Sequence, residues 1–103
     1  MEFITHIILN DADKLLLRLE SDGDPSYNYV YRAGKGVYWD QEQKGFKSTP
    51  INQNAESWSC AKRYSHIVSV AADELGVDLV LSENLVFENI SEKGKDSIIN
   101  FYK

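Results

Sequence analysis

A single cysteine, Cys60, stands among the 103 residues. The chain therefore forms no intrachain disulfide and no thiolate metal cluster. Histidine is nearly as scarce: there are two, His6 and His66, and no histidine or cysteine lies four residues to either side of His66. The helical spacing of a zinc site is thus missing, and a satisfied or solvent-facing histidine is the simpler reading of His66. Long apolar runs are absent too. The stretch Phe3-Ile4-Thr5-His6-Ile7-Ile8-Leu9 falls far short of the ~20 residues that span a bilayer. It follows neither a basic leader nor a small-residue cleavage site, so the sequence reads as cytoplasmic, with no membrane partner.

Basic charge is also in short supply. Lysine and arginine number 11 against 16 acids, a net charge of −5, with the acids scattered along the chain. Neutralising phosphates requires a basic surface, so nucleic acid is not the expected partner. A basic protein is compatible, because opposite fields speed encounter. The simplest role of the charge is solubility.

Chemical motifs are equally sparse. Asp22-Gly23-Asp24 lacks the remaining ligands and terminal glutamate of a calcium loop and reads as a turn. Gly34-Lys35-Gly36 is not followed by the Ser or Thr and helix of a phosphate loop. Asp40 and Glu42 are close in sequence, but nothing sets them apart as an acid–base pair. Cys60 would need a base brought up by the fold to act as a nucleophile, and a buried small side chain is the plainer reading. Asn89-Ile90-Ser91 spells a glycosylation acceptor without a secretion signal to bring it into play. No catalytic, metal or cofactor site is expected.

What the chain does have is a core and many rings. Apolar residues make up 43% of it, which suits one globular domain of this length. A short chain buries roughly 60–70% of its unfolded surface, so one sheet packed by one or two helices is the expected solution. Aromatics are 12%, six of them tyrosine, a side chain equally useful at a core edge and at an interface.

The pattern predicts α+β: an antiparallel β-meander packed on one face by a long helix, then a short hairpin and a C-terminal helix. Residues 3–9 form a first strand. Residues 14–20 form a second, although their leucines also suit a short helix. The loop Ser21–Ser26 leads to strands Tyr27–Arg32 and Val37–Asp40 around Gly34 and Gly36, then to Gly45–Thr49, with Pro50 ending the meander. Asn54 caps a helix running to Leu75, with Glu56 in its first turn and Gly76 as its stop. Trp58, Ala61, Tyr64, Val68, Ala71 and Leu75 form its core stripe, widened by Ile67 and Val70. Val77–Leu81 and Leu85–Glu88 pair around Ser82-Glu83-Asn84, and Ser91 caps a last helix.

Hairpin register sorts the tyrosines. Paired residues in an antiparallel hairpin have a constant sum of positions and share a face. Pairing Arg32 with Val37, Asp40 with Gly45 and Glu20 with Tyr27 gives mutually consistent faces. One collects Leu15, Leu17, Leu19, Val30, Val37, Trp39 and Phe46, and is the expected core. The other collects Arg18, Glu20, Tyr27, Tyr29, Tyr31, Tyr38, Asp40 and Lys47, with Leu16. A bulge would flip a strand and undo the sorting. Tyrosine and arginine are enriched where proteins bind each other, so Tyr27, Tyr29, Tyr31, Tyr38, Arg18, Asp40 and Lys47 are the candidate partner-binding residues. Cross-strand tyrosines that merely stabilise an exposed sheet, or a C-terminal helix laid over this face, would account for the pattern without a partner.

The run Tyr31-Arg32-Ala33-Gly34-Lys35-Gly36-Val37-Tyr38-Trp39-Asp40, with Glu74-Leu75-Gly76-Val77 closing a helix, resembles small bacterial immunity proteins of toxin systems and products of integron gene cassettes. The resemblance covers organisation over about two thirds of the chain and implies an accessory protein that binds or neutralises a protein partner, such as a basic toxin domain. It carries over no site residues. A homodimer using the same face, and a small-molecule binder or enzyme with a pocket between sheet and helix near His66, Tyr64 or Cys60, are the alternatives.

Overall fold

The computed structural model of the chain describes residues 1–9, 14–48 and 60–102. Strands β1 (Glu2–Leu9), β2 (Leu15–Leu19), β3 (Val37–Asp40), β4 (Gly45–Ser48) and β5 (Leu79–Glu88) form one sheet in the order β3-β4-β2-β1-β5. Helices α1 (Cys60–Leu75) and α2 (Glu92–Tyr102) and a 3-10 helix, Pro25–Ala33, complete the described elements. The class is the expected α+β. The connectivity departs from a meander, because β2 pairs with both β1 and β4, and β5 runs parallel to β1.

Two expected elements are corrected. Residues 27–32 are not a strand. Asp24 caps a helix by accepting the Ser26 amide at 2.9 Å, Pro25 supplies its first turn, and left-handed Gly34 (φ 66°) ends it. Tyr27 and Val30, three residues apart, are its buried pair, which is the 3-10 period rather than the strand period. The pairings of Glu20 with Tyr27 and of Arg32 with Val37 therefore do not form. Leu17 lies opposite Phe46 instead.

The second correction is the hairpin, which is one continuous strand. Leu81 is opposite Ile4 and Val86 opposite His6, so residues 82–85 bulge past Thr5. Thr5 is itself the extra residue against β2, where Ile4 pairs with Leu19 and His6 with Arg18. This bulge lets Ile4 and Ile7, an odd number of positions apart, both turn into the core.

The β3–β4 register is the expected one: Trp39 opposite Phe46, Tyr38 opposite Lys47, Asp40 opposite Gly45. Leu15, Leu17, Leu19, Val30, Val37, Trp39 and Phe46 are all buried, as sorted. Tyr64, Ile67, Val70 and Ala71 of α1 and Ile98 of α2 join the same cluster, so both helices and the 3-10 helix lie on one side of the sheet. Val68 and Leu75 pack against it, and the Gly76 amide closes α1 on the Ala72 carbonyl. Ser91 caps α2, its Oγ accepting the Gly94 amide at 3.1 Å. The expected start of the long helix, with Asn54, Glu56 and Trp58, and the strand end at Thr49 and Pro50 lie outside the described residues, as do the side chains of Cys60 and Ala61.

Candidate docking face

Residues one step out of phase with the core point to the other side of the sheet. There Tyr38, Lys47, Leu16, Ile8 and Glu88 lie side by side across all five strands. Asp40, Gly45, Arg18, His6 and Val86 form the neighbouring row. Phe3 and Val80 extend the apolar area beyond them. No described helix lies on this side. Phe3 and Tyr38 are each 41% exposed and Val86 is 44% exposed. Leu16 is nonetheless buried, flanked by Lys47 and Ile8.

The charges here are arranged in a definite way. Lys47 Nζ meets Asp40 Oδ2 at 3.1 Å, and the Gln43 amide donates to Asp40 Oδ1 at 3.0 Å. Partial burial works to raise the Asp40 pKa. The Gln43 amide and the Lys47 ammonium outweigh it, and the carboxyl stays below its ordinary value. Arg18 reaches across Gly45 to the β3–β4 turn, where Nε donates to the Gln43 carbonyl at 3.2 Å and Nη2 to Gln43 Oε1 at 2.7 Å. Gly45 is required at that point, since a Cβ would lie 2.5 Å from the Leu17 carbonyl oxygen and 2.9 Å from Arg18 Cα. On this face lies a depression of about 290 Å³, bordered by Arg18, Gln43, Asp40 and Lys47, with Ile8, Leu16 and Glu88 toward β5.

The seven sequence-derived site residues separate into three groups. Arg18, Tyr38, Asp40 and Lys47 share the open face. Tyr29 (55% exposed) and Tyr31 (53%) sit on the 3-10 helix, on the helical side, with the Arg32 guanidinium 4.4 Å from the centre of the Tyr29 ring. Tyr27 is no surface residue. Its ring packs against Trp39 and Phe46 at 5.2 and 5.4 Å, and its hydroxyl donates to Glu2 at 2.7 Å. Sequence reasoning missed Phe3, His6, Ile8, Val80, Val86 and Glu88. The bulges in β1 and β5 interrupt the alternation that would have assigned them.

The histidines are engaged within the fold. His66 Nε2 donates to the Lys35 carbonyl at 2.8 Å, and His6 Nδ1 shares a 2.9 Å hydrogen bond with the Thr5 hydroxyl. Among the described residues no cluster of His, Cys, Asp and Glu could hold a metal ion, and no helix is long and apolar enough to cross a membrane.

No protein-family model and no curated protein matches the chain. Among solved structures, the integron cassette protein Hfx_Cass5 from the mobile metagenome of the North West Arm sewage outfall is similar. Its identity is 24% over 99% of this chain and 95% of that one, with a TM-score of 0.40.

Proposed function

We propose that this chain is a non-enzymatic accessory protein of the cytoplasm, immunity-like in that it acts by occupying a protein partner, and that it docks through the open face of its sheet. The observation that carries the reading is the row structure of that face: Tyr38 and Val86 are exposed on its two edge strands and Phe3 beyond the rows, with Lys47 and Arg18 on the strands between. Exposed aromatic and arginine side chains are enriched where proteins bind each other. The net charge of −5 favours a basic partner, since long-range attraction speeds encounter while the local mixed charges set register. A basic toxin domain is the partner that the immunity-like organisation implies.

The test compares three immobilised proteins in capture from a native lysate: the natural chain, an open-face variant (Phe3→Ser, Tyr38→Ser, Val86→Thr) and a 3-10 helix variant (Tyr29→Ser, Tyr31→Ser). A partner kept by the first and third and lost by the second supports the reading. Retention by a folded open-face variant removes this face. Sedimentation of the pure chain at micromolar concentration separates self-association, since a dimer dissociated by the open-face substitutions makes the occupant a second copy.

A further inference from the structure

We propose that the depression running from Arg18 to Glu88 is a binding site for a small linear zwitterion, an ω-amino acid with a carboxylate at one end, an ammonium at the other and an apolar spacer between. The proposal is independent of the docking reading. It rests on how the charges bordering the depression divide. Asp40 and Lys47 satisfy each other at 3.1 Å. Among the described residues, Arg18 and Glu88 make no ion pair, and they are of opposite sign.

Arg18 is not a loose surface arginine. Gln43 takes Nε and Nη2 through its carbonyl and its side-chain oxygen. These acceptors are neutral, so they orient the guanidinium without neutralising it. The remaining N–H groups suit a planar carboxylate, which an arginine fork binds with two parallel hydrogen bonds. Glu88 closes β5 on the far side and accepts a cation.

Between them lie Ile8 and Leu16, adjacent in one cross-strand row, which offer a methylene chain an apolar bed. Arg18 on β2 and Glu88 on β5 are separated by two strand spacings and one row. Their backbones are thus about 12 Å apart by standard sheet dimensions. The Arg18 side chain reaches from there toward Gln43, away from β5, so the two charged ends lie no closer than their backbones and call for a spacer of about five or more methylenes. The volume of about 290 Å³ is close to the lower end of the range for ligand pockets.

The test is an amide chemical-shift titration of the whole chain with ε-aminocaproate, caproate and hexylamine. The expected result is saturable movement of the Arg18, Gly45 and Glu88 amides by ε-aminocaproate in the millimolar range, with caproate about tenfold weaker and hexylamine weaker still. Arg18→Met abolishes saturation, and Glu88→Gln reduces ε-aminocaproate to the affinity of caproate. No saturable shift, equal binding of caproate, unchanged binding to Arg18→Met, or shifts scattered away from the depression each overturn the proposal. The three-ligand comparison needs no variant, so it stands even if a substitution disturbs the fold.

Discussion

The hydroxyl of Tyr27 donates to Glu2 across 25 sequence positions, joining the 3-10 helix to the first strand at 2.7 Å. The second Glu2 oxygen accepts from Ser21 Oγ at 2.8 Å, so one carboxylate gathers the strand, the 21–24 loop and the helix. Burial first, and then the hydrogen bond and charge of Glu2, push the Tyr27 phenol up to about 12. The folded value lies above the unfolded one of about 10. Tyr27 therefore contributes stability in full below about pH 10, and that contribution fades as the pH rises toward 12. Alkaline absorbance titration should show a tyrosine transition near pH 12 that Tyr27→Phe removes. Urea unfolding should show the variant about 1 kcal/mol less stable at neutral pH.

The two faces of β3 and β4 should separate sharply under truncation. Phe46 is fully buried, between the Trp39 ring at 5.0 Å and the Tyr27 ring at 5.4 Å. Phe46→Ala is expected to cost about 3–5 kcal/mol. Tyr38 is on the neighbouring strand and faces outward, so Tyr38→Ala should stay within about 0.5 kcal/mol. Urea midpoints decide it, and comparable losses for both substitutions would refute the assigned register.

How much was legible in the sequence follows from where alternation holds. Trp39, Tyr38, Phe46 and Lys47 obey strict period two across a tight turn, so both their pairing and their faces were readable. Leu15, Leu17 and Leu19 turn inward as their alternation predicts, although their partner is β4 and not residues 27–32, because a face is set by the strand's own phase. Tyr27, Tyr29 and Tyr31 imitate an alternating strand, and the competing signal was Asp24-Pro25 as cap and first turn with Gly34 as stop. Tertiary burial of Tyr27 with Val30 chose the 3-10 period. The open-face residues of β1 and β5 stay hidden for another reason. Thr5 and residues 82–85 shift phase within their strands, and the parallel pair β1 and β5, with β2 to α1 between them in the chain, has no turn to count from.

Gly45 and Gly34 are irreplaceable to different degrees. At Gly45 the neighbouring backbone fills the space a Cβ would need, 2.5 Å from the Leu17 oxygen, so β4 must shift away from β2. At Gly34 a Cβ meets nothing within 4 Å, and the left-handed φ of 66° is the sole penalty. Gly34→Ala should cost about 1–2 kcal/mol, and Gly45→Ala up to about 3 kcal/mol. Gly45→Ala should also perturb the Arg18 amide shift while Gly34→Ala leaves it in place.

Asp40 should give the fold an acid-sensitive component. Its folded pKa is held below the ordinary value. The contribution is therefore present above the unfolded pKa of about 3.9 and lost as the pH falls through the folded one. Asp40→Asn keeps an acceptor for the Gln43 amide but removes the charge facing Lys47. Between neutral pH and about pH 3, its stability should decline less steeply than that of the natural chain in urea unfolding. Parallel declines would show that the pair with Lys47 contributes nothing.

Thr5 occupies a position the sheet can do without. Ile4 pairs with Leu19 and His6 with Arg18, so Thr5 is the surplus residue. Among the described residues its hydroxyl makes a long 3.4 Å hydrogen bond to the Arg18 carbonyl and one to the ring of His6. Deleting Thr5 would restore plain alternation with Ile4 inward, His6 outward and Ile7 inward, and residues 82–85 already pass it on the edge strand. The deletion should fold with the same core at a cost of about 1 kcal/mol. Deleting Leu16 is the contrasting case. The β2–β4 ladder has no bulge to absorb the change, so one of its inward leucines must turn to solvent, costing about 2–5 kcal/mol. Urea midpoints and amide spectra distinguish the two, and a Thr5 deletion that unfolds as readily as the Leu16 deletion would show that the bulge is itself needed to hold β1 between its neighbours.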